Sequence, residues 1–438
     1  MKKVLIVSYY FPPSGGAGVQ RMLKFVKYLP EFGWEPVVLT VNEDADFPAR
    51  DASLLEEIPS VIRTYRTRIF EPYGLYRKFT GKEENAAIDI ATNTGEERRS
   101  IGERISSFVR ATFFVPDARR FWKGPAVRTG KRILKRENVD LIFSSAPPYT
   151  CHLVGRALKR HSGLPWVADF RDSWVGWLST PDRWFLPHRI DRRLERTVLE
   201  QSDGLIAVSD GVREDLMSRN PDIPSDKWHL ITNGYDSADF DGIQSRPDPN
   251  RFVLTYTGSL YGKRSPLVLL DALSRLLEEK PELEEKVLFR FVGRADSSFI
   301  EEFLRFGKSV EYKPYVTHRE SLQFIMDSSA LLLIIDDAPA NRSIATGKLY
   351  EYIGSRKPIF ALAPDGAAGD LIRSLNAGVV VHPKNLPMVK KALLDYITQW
   401  EQGRLPKNQE TASIQRYERK QLTKAAADIF DQAVKSAF

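Results

Sequence analysis

A single cysteine, Cys151, occurs in 438 residues, so no intrachain disulfide braces this fold. Histidine is nearly as scarce: six are scattered along the chain without metal-ligand spacing, and no metal is expected. No apolar run approaches the roughly eighteen residues that cross a bilayer. The opening MKKVLIVSYYFPP ends its apolar run at Phe11, before Pro12 and Pro13, and no small-residue cleavage site follows. This stretch is therefore expected to be a first strand and not a signal peptide. Charge of one sign is also in short supply, since 64 basic residues face 57 acidic ones and leave +7. Such a balance is a poor argument for nucleic acid, and it suits anionic phosphates or lipid headgroups equally. A reducing, cytoplasmic setting is expected, with at most a peripheral hold on the inner face of a membrane.

What is present is a chain long enough for two full cores, with 42% hydrophobic and 28% charged residues, an ordinary globular balance. Lys3 to Tyr9, Trp34 to Thr40, Val139 to Ser144, Trp166 to Phe170 and Gly204 to Ser209 read as buried parallel strands of a first half. Phe252 to Thr257, Val287 to Val292, Ala330 to Ile335 and Ile359 to Ala363 do the same for a second. Helical stretches separate them, which predicts an α/β chain of two doubly wound domains. Asn233-Gly234-Tyr235-Asp236 is a turn, and the Pro- and Asp-rich Arg246 to Asn250 reads as a linker. Domains are therefore expected over 1–240 and 250–408, with Ile414 to Phe430 forming one amphipathic helix within 409–438. Thr80 to Ser100 is polar and reads as part of an insertion at about 75–125. Ile101, Ile105, Phe108 and Val109 then line one side of a helix, within a basic run from Arg98 to Arg136. That helix has two readings: docking on anionic lipid, or packing on the first domain with a solvated basic face.

The strongest pointer to chemistry is Arg342 to Leu362, RSIATGKLYEYIGSRKPIFAL. It follows a buried strand, and Thr346 is a plausible N-cap for a helix that Gly354 closes. Free N–H groups around Ala345 to Lys348 suit a diphosphate, aided by the helix dipole. Lys348 and Glu351 share a face, so the carboxylate can accept hydrogen bonds from a ribose diol; the alternative is a solvated surface Glu. Gly258, Lys263 and Arg264, between a strand and a helix, form either a second phosphate cradle or a loop with solvated cations. Gly293 and Arg294 end the next strand. In the first half, Gly15 and Gly16 precede a helix, as a ligand loop or as a plain turn. Asp169, Arg171 and Asp172, in ADFRDSW, stand at a strand end as site residues or as an internal ion pair.

GKLYEYIGSRKPIFALAP resembles the donor-nucleotide motif of glycosyltransferase family 4, whose members have two Rossmann-like domains in the GT-B arrangement. The family commonly carries two Glu seven positions apart. Here the first falls on Ser343, and the sequence is similar to the branch with a Lys-Leu-aromatic-Glu-Tyr run. The resemblance implies a cleft between the domains, a C-terminal helix returning to the first, and a ribose contact by Glu351. Ser343, Ile344, Thr346, Gly347 and Lys348 are then donor-binding candidates, with Gly258, Lys263, Arg264 and Gly293 beside them. Gly15 and Gly16 would face the cleft. Asp169 stands near where many members place a sugar-contacting His, with Arg171 orienting substrate or phosphate. The implied reaction is retaining transfer of a sugar from a UDP- or GDP-sugar to a glycan or lipid-linked acceptor, without a metal cofactor. Rival readings are a nucleotide-sugar epimerase of the same fold and a non-catalytic binding subunit, which the Ser343 substitution favours.

Overall fold

The computed structural model describes residues 1–69, 108, 111–176, 180, 183–262, 264–337, 342–343, 345–406 and 411–436. Lys263, Ile344, the polar stretch Thr80 to Ser100 and most of the helix expected from Ile101 lie outside these residues. The described chain divides into two units. The first holds everything up to Thr232 together with the segment from Arg419, and the second spans Asn233–Glu418. The boundary thus precedes the Asn233–Asp236 turn, which belongs to the second unit.

The first unit is built on seven parallel strands in the order β3-β2-β1-β4-β5-β6-β7. They are β1 (Lys2–Val7), β2 (Trp34–Val41), β3 (Arg63–Thr67), β4 (Leu141–Ala146), β5 (Trp166–Phe170), β6 (Gly204–Ala207) and β7 (Trp228–Leu230). Its helices are α1 (Ala17–Tyr28), α2 (Lys123–Arg136), α3 (Thr150–Ser162), α4 (Phe185–Gln201) and α5 (Asp210–Arg219). Val4, Leu5, Ile6 and Val7 are all fully buried, as an unbroken apolar run in a sheet covered on both faces requires. Strand order reverses between β1 and β4, so the loop after β1, carrying Gly15 and Gly16, opens at the switch point.

The second unit repeats the plan with six parallel strands, ordered β10-β9-β8-β11-β12-β13. These are β8 (Phe252–Thr257), β9 (Val287–Val292), β10 (Val310–Lys313), β11 (Ala330–Ile334), β12 (Ile359–Leu362) and β13 (Gly378–Val381). Between them run α6 (Leu267–Glu279), α7 (Ser297–Leu304), α8 (His318–Met326), α9 (Gly347–Ser355) and α10 (Ala367–Ser374), followed by α11 (Leu386–Glu401). Period-two alternation sorts this sheet into two cores. Ala330, Leu332 and Ile334 join Phe252, Leu254 and the apolar side of α6 and α11. Leu331, Leu333 and Ile335 join Leu349, Ile353 and Ile372 on the opposite face.

Two expectations need correction. The helix read from Ile414 to Phe430 is broken into α12 (Thr411–Gln415) and α13 (Arg419–Ser436). The break is held where the Tyr235 N–H donates to the Tyr417 carbonyl at 3.1 Å. α13 then returns to the first unit, where Leu422, Ala426, Ile429 and Phe430 pack with Val4, Met22 and Phe25. Nor does Gly354 end α9. The helix continues to Ser355 and is capped by Arg356 in the left-handed region. Gly354 is small because a β-carbon there would strike the Tyr235 ring.

Candidate functional site

In the second unit, the ends of β8, β9 and β11 converge on the start of α9, across the reversal of strand order between β8 and β11. Lys348, in the first turn of α9, donates to the Tyr256 hydroxyl at 3.0 Å, with its ammonium 4.6 Å from the Tyr256 ring centroid. One turn later the Tyr352 hydroxyl accepts the Thr257 N–H at 2.9 Å. Lys348 and Tyr352, four apart, therefore bind α9 to the end of β8. Gly258 follows directly, with φ +120, and a β-carbon on it would fall on the Lys348 ammonium. Gly293, φ +131, closes β9 against the backbone of Gly258 in the same way. Both glycines are there because main chain and cation come too close for any side chain.

Burial lowers the Lys348 pKa to about 7, the nearby Arg264 charge adds to the fall, and Glu351 opposes it. Burial raises the Tyr256 hydroxyl to about 12. Arg264 sits 3.9 Å from Asp336, beyond β11, and its Nε is buried without a hydrogen-bond partner among the described residues. Thr346 occupies the N-cap of α9 as expected, yet its side chain caps nothing. Its Oγ1 is likewise buried and unpartnered there. A helix N-terminus, two cations and an unused hydroxyl donor thus occupy one end of the sheet. Such a cluster is suited to an anion of more than one charge. Gly347 begins α9, and Ser343 lies partly buried ahead of it.

Glu351 points to the neighbouring helix α8, where His318 Nε2 lies 3.3 Å from its Oε1. Both side chains keep partial exposure, 16% for His318 and 23% for Glu351, so a ligand can reach them. Sequence reading gave His318 no role. Its signal was local: Thr317 and Glu320 form a complete capping box, which places His318 at the first position of α8. Tyr256, Tyr352 and Asp336 were also missed, because only the tertiary pairing of β8, β11 and α9 shows their relation.

The first unit overturns one expectation. Asp169 is fully buried, not set at an accessible strand end. Its carboxylate accepts from Arg21 Nη2 at 2.6 Å and Nε at 3.1 Å, and from the Ser145 hydroxyl at 2.7 Å. Arg21 is itself fully buried and also donates to the carbonyls of Ile231 and Thr232. This is an internal ion pair that joins α1, β4 and β5, with both carboxylate oxygens accepting hydrogen bonds. Arg171 likewise spends its guanidinium on main chain, donating to Gly18 O at 2.7 Å, Ala146 O at 3.2 Å and Pro147 O. It braces three loop ends with three of its five N–H groups. Of the three, Asp169 alone is fully buried, while Arg171 and Asp172 both remain partly exposed. Gly15 donates to Ala49 O at 2.9 Å, and Gly16 takes φ 98 at the N-cap of α1, a conformation that requires glycine. Cys151 is fully buried and its thiol is pushed up to about 12 by that burial, which removes it as a nucleophile. Among the described residues, no three His, Cys, Asp or Glu side chains are grouped to hold a metal.

Comparison with known proteins adds a family and a fold. Residues 82–239 match the model of Glycosyltransferase Family 4. Alpha-maltose-1-phosphate synthase of Mycolicibacterium smegmatis (strain ATCC 700084 / mc(2)155) is 32% identical over 71 residues, 16% of this chain and 18% of that protein. The match therefore spans less than a fifth of the relative's length. Sucrose-phosphate synthase from Thermosynechococcus elongatus aligns over 100% of both chains with a TM-score of 0.63 and 13% identity. UDP-GlcNAc 2-epimerase from Methanocaldococcus jannaschii aligns over 99% of this chain and 100% of its own, with a TM-score of 0.57 and 12% identity. At these identities the likeness is one of fold. The family match lies on the first half, and the GKLYEY run lies outside it. The family model covers less than half of this chain, and the two parallel sheets with these likenesses show a GT-B-like fold.

Proposed function

We propose that this chain is a retaining glycosyltransferase that moves a sugar from a UDP- or GDP-sugar to a hydroxyl of a glycan or lipid-linked acceptor. Its place would be in cell-surface polysaccharide or glycolipid synthesis, on the cytoplasmic side of a membrane, without nucleic acid as a partner. The observation that carries the reading is the meeting of Thr346 Oγ1, Arg264 and Lys348 at the start of α9, with Glu351 one turn away. In this reading the diphosphate lies on the helix start and Glu351 accepts from the ribose diol. The bond from the anomeric carbon to the diphosphate oxygen breaks, and a bond to the acceptor oxygen forms on the same face. The acceptor proton passes to the departing phosphate. Lys348, Arg264 and the α9 N–H groups stabilise the leaving anion in place of a metal ion, each well-placed donor contributing roughly 3 kcal/mol. The Gly15 and Gly16 loop of the first unit is assigned to the acceptor side.

Glu351→Ala tests this directly: UDP or GDP affinity should fall about tenfold or more while the melting temperature barely moves. Unchanged affinity for both nucleotides would remove Glu351 from the site. The epimerase shares the fold, and Ser343 in place of an acidic residue favours a binding subunit. UDP release measured with and without acceptors separates the three readings. Transfer requires acceptor-dependent product. Isomerised free sugar points to the epimerase, and binding without turnover to the subunit.

A further inference from the structure

A cluster of large apolar side chains stands in solvent at the start of α4, on a face remote in sequence from the donor motif. Phe185 is 75% exposed and Phe113 60%, with Trp184, Leu186 and Ile190 each between 44% and 50%. They form one surface. The Trp184 Nε1 donates to Thr112 Oγ1 at 2.9 Å, and the Arg183 guanidinium donates to the carbonyls of Ala111, Phe114 and Pro116. These bonds fix the segment carrying Phe113 beside the first turn of the helix. Along α4, Leu186, Arg189, Ile190 and Arg193 follow the spacing of a single helix face, while Pro187, Asp191, Glu195, Val198 and Leu199 are buried.

The sign of the charge is as one-sided as the exposure. Asp191 is turned inward to Trp174 and Arg183, Glu195 to Arg219 and Asn220, and Asp117 to Thr150. Among the described residues, the charges left facing out around the apolar tip are Arg120, Arg189, Arg192 and Arg193, and the three on α4 have no ion-pair partner there. Exposed Phe, Leu and Trp beside unpaired arginines match the boundary of an anionic bilayer, where rings enter the headgroup layer and guanidinium groups meet phosphate. A protein partner would equally cover apolar surface, but among the described residues the outward charges around this tip are all positive, which favours an anionic sheet over a mixed protein face.

We propose that the first turns of α4, with the Phe113 segment, dock this protein peripherally on an anionic membrane surface. Of the described part of the basic run from Arg98 to Arg136, the Phe113–Arg120 edge takes part. The inference concerns the first unit and does not depend on the donor site.

Co-sedimentation of the full chain with vesicles of phosphatidylcholine, alone or mixed with phosphatidylglycerol, is the test. Binding is expected only to the mixed vesicles. Arg189→Gln/Arg192→Gln/Arg193→Gln should weaken it about a hundredfold, and Phe185→Ser/Leu186→Ser/Ile190→Ser at least about tenfold. Because all six side chains are exposed, both variants should keep the parent melting temperature and nucleotide affinity. Loss of nucleotide binding in the parent chain would sink the donor site and leave this inference standing. Equal binding to neutral vesicles, no binding to either kind, or parent-like binding by both variants overturns it. So does concentration-dependent dimerisation in sedimentation equilibrium that the Phe185 variant abolishes while vesicle binding is absent.

Discussion

Lys348 is an ammonium held where its charge is costly. With its pKa lowered to about 7, the folded state gives up a proton that the unfolded chain keeps up to its ordinary value. Between those two values the unfolded state binds more protons, so this residue makes stability rise with pH, and its charged form is a burden below pH 7. An anion reverses that preference. Affinity for a non-hydrolysable UDP-sugar analogue, whose phosphates do not titrate in this range, should therefore fall as pH climbs from about 6 to about 9. Lys348→Met should flatten that profile and weaken binding, yet leave stability at pH 6 equal or higher. A mutant with the parent's pH profile would show that the ammonium does not face the ligand. Asp169 is the opposite case. Asp169→Ala strands the buried Arg21 guanidinium and should cost about 3–5 kcal/mol in chemical denaturation. Unchanged stability with abolished turnover would return Asp169 to the chemistry.

Among the elements, α9 is the one whose placement makes the site. Propensity alone gives a nine-residue helix little reason to persist, and its anchors are Tyr352 on the end of β8, Lys348 on Tyr256, and Leu349 and Ile353 in the core. The glycines that admit it are not equivalent. At Gly258 a new β-carbon meets the tip of a flexible lysine, whereas at Gly293 it meets the main chain of Gly258. Gly258→Ala should thus displace Lys348 and lower nucleotide affinity in a protein that still folds. Gly293→Ala should lower the melting temperature more, since neither strand end can yield. The reverse ranking, read by thermal melting and nucleotide titration, would contradict this account of the turn. The start of α9 was legible from Thr346, but its end was not. The role of Gly354 was not, because its constraint is the Tyr235 ring, over a hundred residues earlier in the chain.

For the molecule as a whole, each unit carries its own sheet and core, and the first is completed by the last long helix. Phe430 packs against Trp34, with ring centroids 5.5 Å apart, and against Phe143 at 5.0 Å. Phe430→Ala should cost about 3–5 kcal/mol. In calorimetry it should lower a transition that UDP does not raise, while the UDP-stabilised transition stays in place. Movement of both transitions together would mean that the two cores unfold as one.

Alternating apolar runs were enough to read two parallel sheets, and several strands, Trp166–Phe170, Phe252–Thr257 and Val287–Val292, have the bounds their residues announce. Buried parallel strands are written in local hydrophobicity, and helix starts in caps, so both can be read along the chain. Side-chain pairing is not local. Whether Asp169 meets solvent or Arg21, whether Arg171 holds phosphate or three carbonyls, and whether Glu351 stands beside His318 all depend on groups brought together across long stretches of sequence. A charged residue type names a chemistry, but the neighbours that tertiary packing supplies decide whether that charge is consumed inside the fold or left for a ligand.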